Sequence, residues 1–208
     1  MNVALIDAIT PRMVAAGHRV LQIHRFAEGE RAHVARLERW AEFPAGARVV
    51  DLGSGTGEMA RIMMVIRPDL RFTLVNLSRA QLAYSPEGAE QLCCDFRAVP
   101  LPADSFDAAM FCFSIGHENA ADGFREGRRL LRPGGILFIY DMVGEGAGLR
   151  ALDYFVGSRA DMEDAVEGFR LDFYMEPTDN GDYGRAVLGE AAELWAGTKP
   201  AVWRFVRC

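Results

Sequence analysis

Apolar positions change their period along this chain. Through about residue 45 they recur at helical spacing, and beyond it they gather into short runs. In the first stretch Thr10 and Pro11 read as the cap and first turn of a helix, with Val14, Val20, Leu21 and Ile23 as its apolar stripe. Val34, Leu37 and Trp40 or Ala41 mark a second helix over residues 28–43, closed by the turn Pro44-Ala45-Gly46. Strands are then predicted at 48–52, 72–77, 91–94, 107–115 and 136–140, alternating with helices at 58–66, 78–84 and 119–132. Strands of this kind, apolar almost throughout and joined by helices, predict a parallel sheet covered on both faces. Further on, helices are expected at 148–156 and 185–195, and Ser158-Arg159-Ala160-Asp161 reads as a capping box opening a helix to Val166. Strands at 170–175 and 201–206 complete the set as an antiparallel pair at the sheet edge. The predicted fold class is α/β, a doubly wound, mostly parallel seven-stranded sheet preceded by N-terminal helices.

Composition narrows the picture without changing it. With 208 residues, 50% hydrophobic and 25% charged, the chain suits one ordinary globular domain. The net charge of −6 makes nucleic acid a poor default partner, since phosphate binding rests on clustered Lys and Arg. No run of 18 apolar residues is present, so no membrane span is expected. The N-terminus carries Asp7 early and lacks the pattern of a secretion signal. Cys93, Cys94, Cys112 and Cys208 form no C-x-x-C pair, so no metal site is expected and a reducing, cytoplasmic location is.

The chemistry concentrates after the first strand. Val49-Val50-Asp51-Leu52 runs into Gly53, Gly55 and Gly57 and then into a helix. Gly53 suits a sharp turn, Gly55 a ligand's close approach to the backbone, and Gly57 close helix packing on the sheet. Ligands of open parallel sheets sit at this carboxyl edge, and free amides at a helix start favour an anion. The spacing is G-x-G-x-G, with Glu58 where a dinucleotide fingerprint would place its last glycine, and no Gly-Lys-Ser/Thr follows as a P-loop would need.

Asp51-x-Gly53-x-Gly55-x-Gly57 resembles the first motif of class I S-adenosylmethionine-dependent methyltransferases. Asn76-Leu77-Ser78, Asp95-Phe96, Val99-Pro100-Leu101-Pro102, Phe106-Asp107 and Arg128 to Gly135 follow in that family's order, over residues 46–143. The proline-rich and Leu131-Arg132-Pro133-Gly134-Gly135 features are similar to the small-molecule branch that includes ubiquinone/menaquinone C-methyltransferases. Leu77-Ser78-x-x-Gln81 resembles sterol and tocopherol enzymes.

The resemblance implies a helical lid over residues 1–45, a methyltransferase domain over 46–208, and S-adenosyl-L-methionine as cofactor. Backbone groups at Gly53 and Gly55, with Asp51 ordering the turn and Gly57 closing it, would hold its methionine end, Asn76 and Leu77 would face its ribose, Asp95 and Phe96 its adenine, and Ser114 would lie under the transferred methyl. The family most often has a carboxylate where this chain has Asn76, which accepts without charge assistance.

His117 and Glu118 follow the fourth strand and are the catalytic candidates by position; Glu118 equally suits a charge at a helix N-terminus. His18, His24 and His33 read as packing or surface residues, although His24-Arg25-Phe26 could belong to the lid. The expected activity is C- or O-methylation of a small molecule. Alternatives are a nicotinamide-dependent oxidoreductase and a non-catalytic S-adenosylmethionine-binding protein. The sequence leaves room for a homodimer.

Overall fold

The computed structural model describes residues 3–15, 17, 26, 29–117, 120–144, 157–176 and 198–208. Seven strands form one sheet: β1 (Arg48–Leu52), β2 (Arg71–Asn76), β3 (Glu90–Cys93), β4 (Phe106–Cys112), β5 (Leu131–Gly144), β6 (Phe169–Met175) and β7 (Thr198–Arg207). Their spatial order is β3-β2-β1-β4-β5-β7-β6. Pairing is parallel from β3 through β5, whereas β7 runs antiparallel to both β5 and β6. The late strands thus form the expected antiparallel edge. β1 lies centrally, where the strand order reverses, which is where such sheets place ligands.

Helices cover both faces. α2 (Glu30–Ala41), α3 (Glu58–Ile66) and α4 (Arg79–Leu82) bury Leu37, Met63 and Leu82 against Val49, Leu74, Met110 and Phe138. α5 (Ala120–Leu130) and α6 (Arg159–Asp164) bury Phe124, Leu130 and Met162 against Val50, Phe111, Ile139 and Trp203. Successive strand residues alternate between these two cores, which is the side-chain period of a strand. Ser158 and Asp161 do form the capping box that opens α6.

The first helix departs from the expectation. α1 (Val3–Ala15) starts well before Thr10 and carries Pro11 inside it. Pro11 has no N–H to give, and the Thr10 hydroxyl bonds back to the Ile6 carbonyl at 2.7 Å instead of capping a new helix. β4 ends at Cys112 rather than Ile115, because Phe113 adopts φ 54°, which no strand continues through. β5 starts at Leu131 rather than Ile136, because Leu131 pairs with Phe106 before the ladder's irregularity. The helices expected at 148–156 and 185–195 lie outside the described residues, as do Val20, Leu21 and Ile23.

Two motifs prove to be braces. Glu126, buried on α5, accepts from the Val99 N–H at 2.8 Å and pairs with Arg129, which in turn donates to the carbonyls of Val99 and Leu101. The proline-rich loop is thereby held on α5. Asp107 accepts from the Arg48 N–H and pairs with Arg132, tying β1, β4 and β5 at the edge opposite the glycine turn. No helix among the described residues is long and apolar enough to cross a membrane.

Candidate active site

The glycine turn leaves β1 and doubles back over β2. The N–H groups of Gly53 and Ser54 both donate to the Val75 carbonyl, at 2.9 and 3.0 Å, and the Gly57 N–H donates to Ser54 at 2.9 Å. Gly53 sits at φ 84°, and a Cβ there would lie 2.9 Å from the Ser114 hydroxyl oxygen and closer still to its Cβ. Glycine is therefore required by both conformation and space. Gly55, at φ 57°, meets no protein atom within 4 Å of a notional Cβ. That side of the turn is open.

Asp51 stands on β1 just before the turn. It is 1% exposed, and neither carboxylate oxygen has a hydrogen-bond partner among the described residues. Burial pushes its pKa up from 3.8 to about 8. A carboxyl so placed waits for a cationic or donor group. Nearby on β4, burial together with Asp51 and Asp141 holds the Cys112 thiol well above the ordinary thiol range, so it is no nucleophile.

Asn76 ends β2 and is 5% exposed. Its Nδ2 donates to the Gly55 carbonyl at 3.0 Å and to Gln81 Oε1 at 2.8 Å. Among the described residues the hydrogen bonds of this side chain run from Nδ2, leaving Oδ1 as an acceptor. Ser78 caps α4 by accepting from the Gln81 N–H at 3.0 Å, and its hydroxyl donates to Asp7 of α1. The N-terminal helix is thus fastened beside the turn. Leu77 is half-buried between these two polar residues.

Asp95 follows β3 and is gripped by Arg97, whose Nη2 lies 2.6 Å from Oδ2 and whose backbone N–H donates to Oδ1 at 2.9 Å. The guanidinium holds this carboxyl below the usual range, so Asp95 stays an ionised acceptor with part of its capacity used. Phe96 is 7% exposed and packs edge-on to Phe111 at 5.4 Å, as a member of the core. Ser114 is buried, and its hydroxyl donates to the Leu52 carbonyl at 2.6 Å. His117 closes a 3-10 turn spanning Ile115–His117; its side chain and Glu118 lie outside the described residues. So do His18, His24 and Arg25. His33 is fully buried, accepts from the Phe26 N–H at 2.8 Å and stacks on the Phe26 ring, which is packing.

Two features escaped the sequence. Phe113 takes a positive φ where the strand turns out, its N–H donating to the Tyr140 carbonyl at 2.8 Å. Nothing in an apolar run announces that conformation. Gln81 was visible as a motif position, but its contact with Asn76 needed α4 in place.

Residues 50–139 match the model of a methyltransferase domain, and this segment holds the turn, Asp51, Asn76 and Ser114 together. In that segment the chain is similar to methyltransferase domains, and its fold is the class I methyltransferase fold. The chain is 30% identical over 118 residues to a ubiquinone/menaquinone biosynthesis C-methyltransferase of Geobacter sulfurreducens, covering 50% of this chain and 44% of that protein. It is 33% identical over 128 residues to a 27-O-demethylrifamycin SV methyltransferase of Amycolatopsis mediterranei, covering 56% and 47%. The chain thus spans about half the length of the curated relatives it matches. In fold it superposes on the [4+2]-cyclase SpnF with a TM-score of 0.80 at 19% identity, covering 99% of this chain and 94% of that one. The methyltransferase fold therefore supports chemistry other than methyl transfer, and the site must carry the argument.

Proposed function

We propose that this protein transfers a methyl group from S-adenosylmethionine to a carbon or oxygen of a small-molecule acceptor. The observation that carries the reading is Asp51, a buried carboxyl without a partner beside a glycine turn whose outer side is open. The methionine end of this cofactor offers the ammonium that such a carboxyl lacks, so the residues present fit the group. Gly53, Gly55 and Gly57 would form its cradle, with the Asn76 Oδ1 and Leu77 beside the ribose. Asp95 would accept from the adenine amine, with Phe96 supporting that wall from the core.

When bound, the cofactor supplies an electrophilic methyl on sulfur. The chain's own task is alignment, because an in-line displacement depends on the geometry of approach. Ser114 contributes by fixing the ends of β1 and β4 to one another. His117 or Glu118 would take a proton from an acceptor that must lose one. α1, held at Ser78 by Asp7, would cover the site as a lid, whereas α2 is packed into the core on the face of the sheet. The relatives' names include both a C-methyltransferase and an enzyme acting on an O-demethylated compound, which supports a small organic acceptor. The acidic balance and the cysteine pattern support a cytoplasmic enzyme that does not act on nucleic acid.

Calorimetric titration with S-adenosylmethionine, S-adenosylhomocysteine and NADH tests the cofactor. Binding of the first two and not the third is expected; NADH binding alone would favour an oxidoreductase. Appearance of S-adenosylhomocysteine on incubation with fractionated metabolites tests turnover. Tight cofactor binding with no turnover in any fraction would favour a non-catalytic binding protein.

A further inference from the structure

We propose that Glu126 on α5 is a positioning residue: with Arg129 it locates the loop that carries Asp95 and Phe96, and so sets how well the site prefers a base bearing an amine. The proposal rests on the cofactor reading, which assigns Asp95 to the adenine amine. The grip itself is geometry. Glu126 Oε1 accepts from the Val99 N–H at 2.8 Å and lies 2.6 Å from Arg129 Nη2, while Oε2 accepts from Arg129 Nε at 2.8 Å. The same guanidinium donates to the carbonyls of Leu101 and Val99, at 2.7 and 2.8 Å. One ion pair thus holds both main-chain groups of Val99 and the carbonyl of Leu101.

The loop depends on a holder outside itself. It lies between the end of β3 at Cys93 and the start of β4 at Phe106, so no strand partner fixes it. Pro100 and Pro102 have no N–H to spend on a regular ladder. Arg97 grips Asp95, but it stands on the same loop and moves with it. That pair orients the carboxylate without locating the loop on the protein. Glu126 is 27 residues from Val99 and stands on a helix whose Phe124 and Leu130 are packed into the core, so it does locate the loop.

Two contacts carry the constraint back to the proposed base pocket. The Ala98 N–H donates to the Asp95 carbonyl at 3.1 Å and closes the turn between the anchored Val99 and Asp95. Phe96 is seated against the same helix, since a Cβ on Gly123 would stand 3.4 Å from its ring. α5 therefore places both the acceptor at 95 and the ring at 96. A neutral amide at 126 keeps an oxygen for the Val99 N–H but gives Arg129 an uncharged partner, and a methyl gives neither.

The test titrates full-length wild type, Glu126→Gln and Glu126→Ala with S-adenosylhomocysteine and with S-inosylhomocysteine, which carries a carbonyl where the adenine amine stands. Wild type should prefer the adenosyl compound. Glu126→Ala should bind it about tenfold more weakly or worse, with far less change for the inosyl compound, so that the preference shrinks. Glu126→Gln should fall between the two. A role confined to stability weakens both compounds alike, so an equal loss overturns the proposal. A Glu126→Ala protein with the wild-type preference overturns it too, as does a wild type without any preference. Arg129→Lys serves should Glu126→Ala fail to fold. The ammonium keeps a charge for Glu126 but lacks the fork that reaches Val99 and Leu101, so part of the preference should go; full preference overturns the proposal. Wild type binding neither compound overturns the cofactor reading alone. Hydrogen exchange at Val99 and Leu101 then decides the brace: it should quicken in the variants, and unchanged exchange overturns it.

Discussion

Gly53 and Ser114 touch across the seam between β1 and β4, so closely that position 53 has no room for a β-carbon. The serine is held there by its bond to the Leu52 carbonyl, so it cannot swing aside without losing that bond. Gly53→Ala should therefore cost about 2–4 kcal/mol, from left-handed backbone strain and overpacking together. In a chain of this size that corresponds to a fall in Tm of roughly 5–15 °C. Adding Ser114→Gly should recover part of the loss, and a double-mutant cycle reads the coupling. Strictly additive effects would show that the two residues do not compete for space.

Asp51 sets a pH dependence whose sign is fixed by its burial. Its folded pKa, about 8, stands above the unfolded value of 3.8. Burial favours its neutral form, so this contribution to stability is fully present below about pH 4 and is lost as pH rises to about 8. Denaturant titrations should show wild type losing stability against Asp51→Asn across that window, and the difference levelling off above it. A ligand ammonium reverses the preference. Affinity for S-adenosylhomocysteine should rise with pH up to about 8, with uptake of the ligand releasing a proton to buffer, and Asp51→Asn should abolish both effects.

The Asp7–Ser78 contact is what fastens α1 beside the turn. Asp7→Ala removes that anchor and leaves the α4 cap intact, whereas Ser78→Ala removes both, and loss of a cap costs about 1 kcal/mol. Hydrogen exchange over residues 3–15 should quicken in both variants, with exchange around 79–82 quickening only in Ser78→Ala. If α1 serves as a lid, both should also dissociate S-adenosylhomocysteine faster than wild type. Unchanged dissociation would restrict the contact to a structural role.

Once an acceptor is found, His117→Ala or Glu118→Gln should lower kcat by roughly 10²–10⁴-fold with cofactor affinity nearly unchanged, provided that the acceptor must lose a proton. A histidine base gives a rate rising through about pH 6.5, and a glutamate one that is flat above about pH 5. If both variants turn over like wild type, methyl transfer proceeds by alignment alone.

Much of this protein was legible from its order of residues. Strand β1 and helix α3 were readable to the residue, because a buried parallel strand must be apolar throughout and the glycines punctuate its end. The antiparallel edge followed from two late apolar runs, at 170–175 and 201–206, flanking the helix expected at 185–195. The glycine turn was legible too, since glycine adopts the left-handed conformations found at residues 53 and 55 without strain. What the order of residues could not carry was partnership between distant side chains. Asp51 could be named, but its lack of any partner is a property of everything packed around it. Asn76 could be named as a ligand-facing position, yet its amide spends both protons within the fold, on Gly55 and Gln81. Asp95 likewise turned out to be shared with Arg97, and Thr10, readable as a cap, bonds backward within a longer helix. Local pattern determines where an element begins and which face it buries, because those depend on neighbours along the chain. Hydrogen-bond partners and protonation depend on neighbours in space, and only the tertiary structure brings these together.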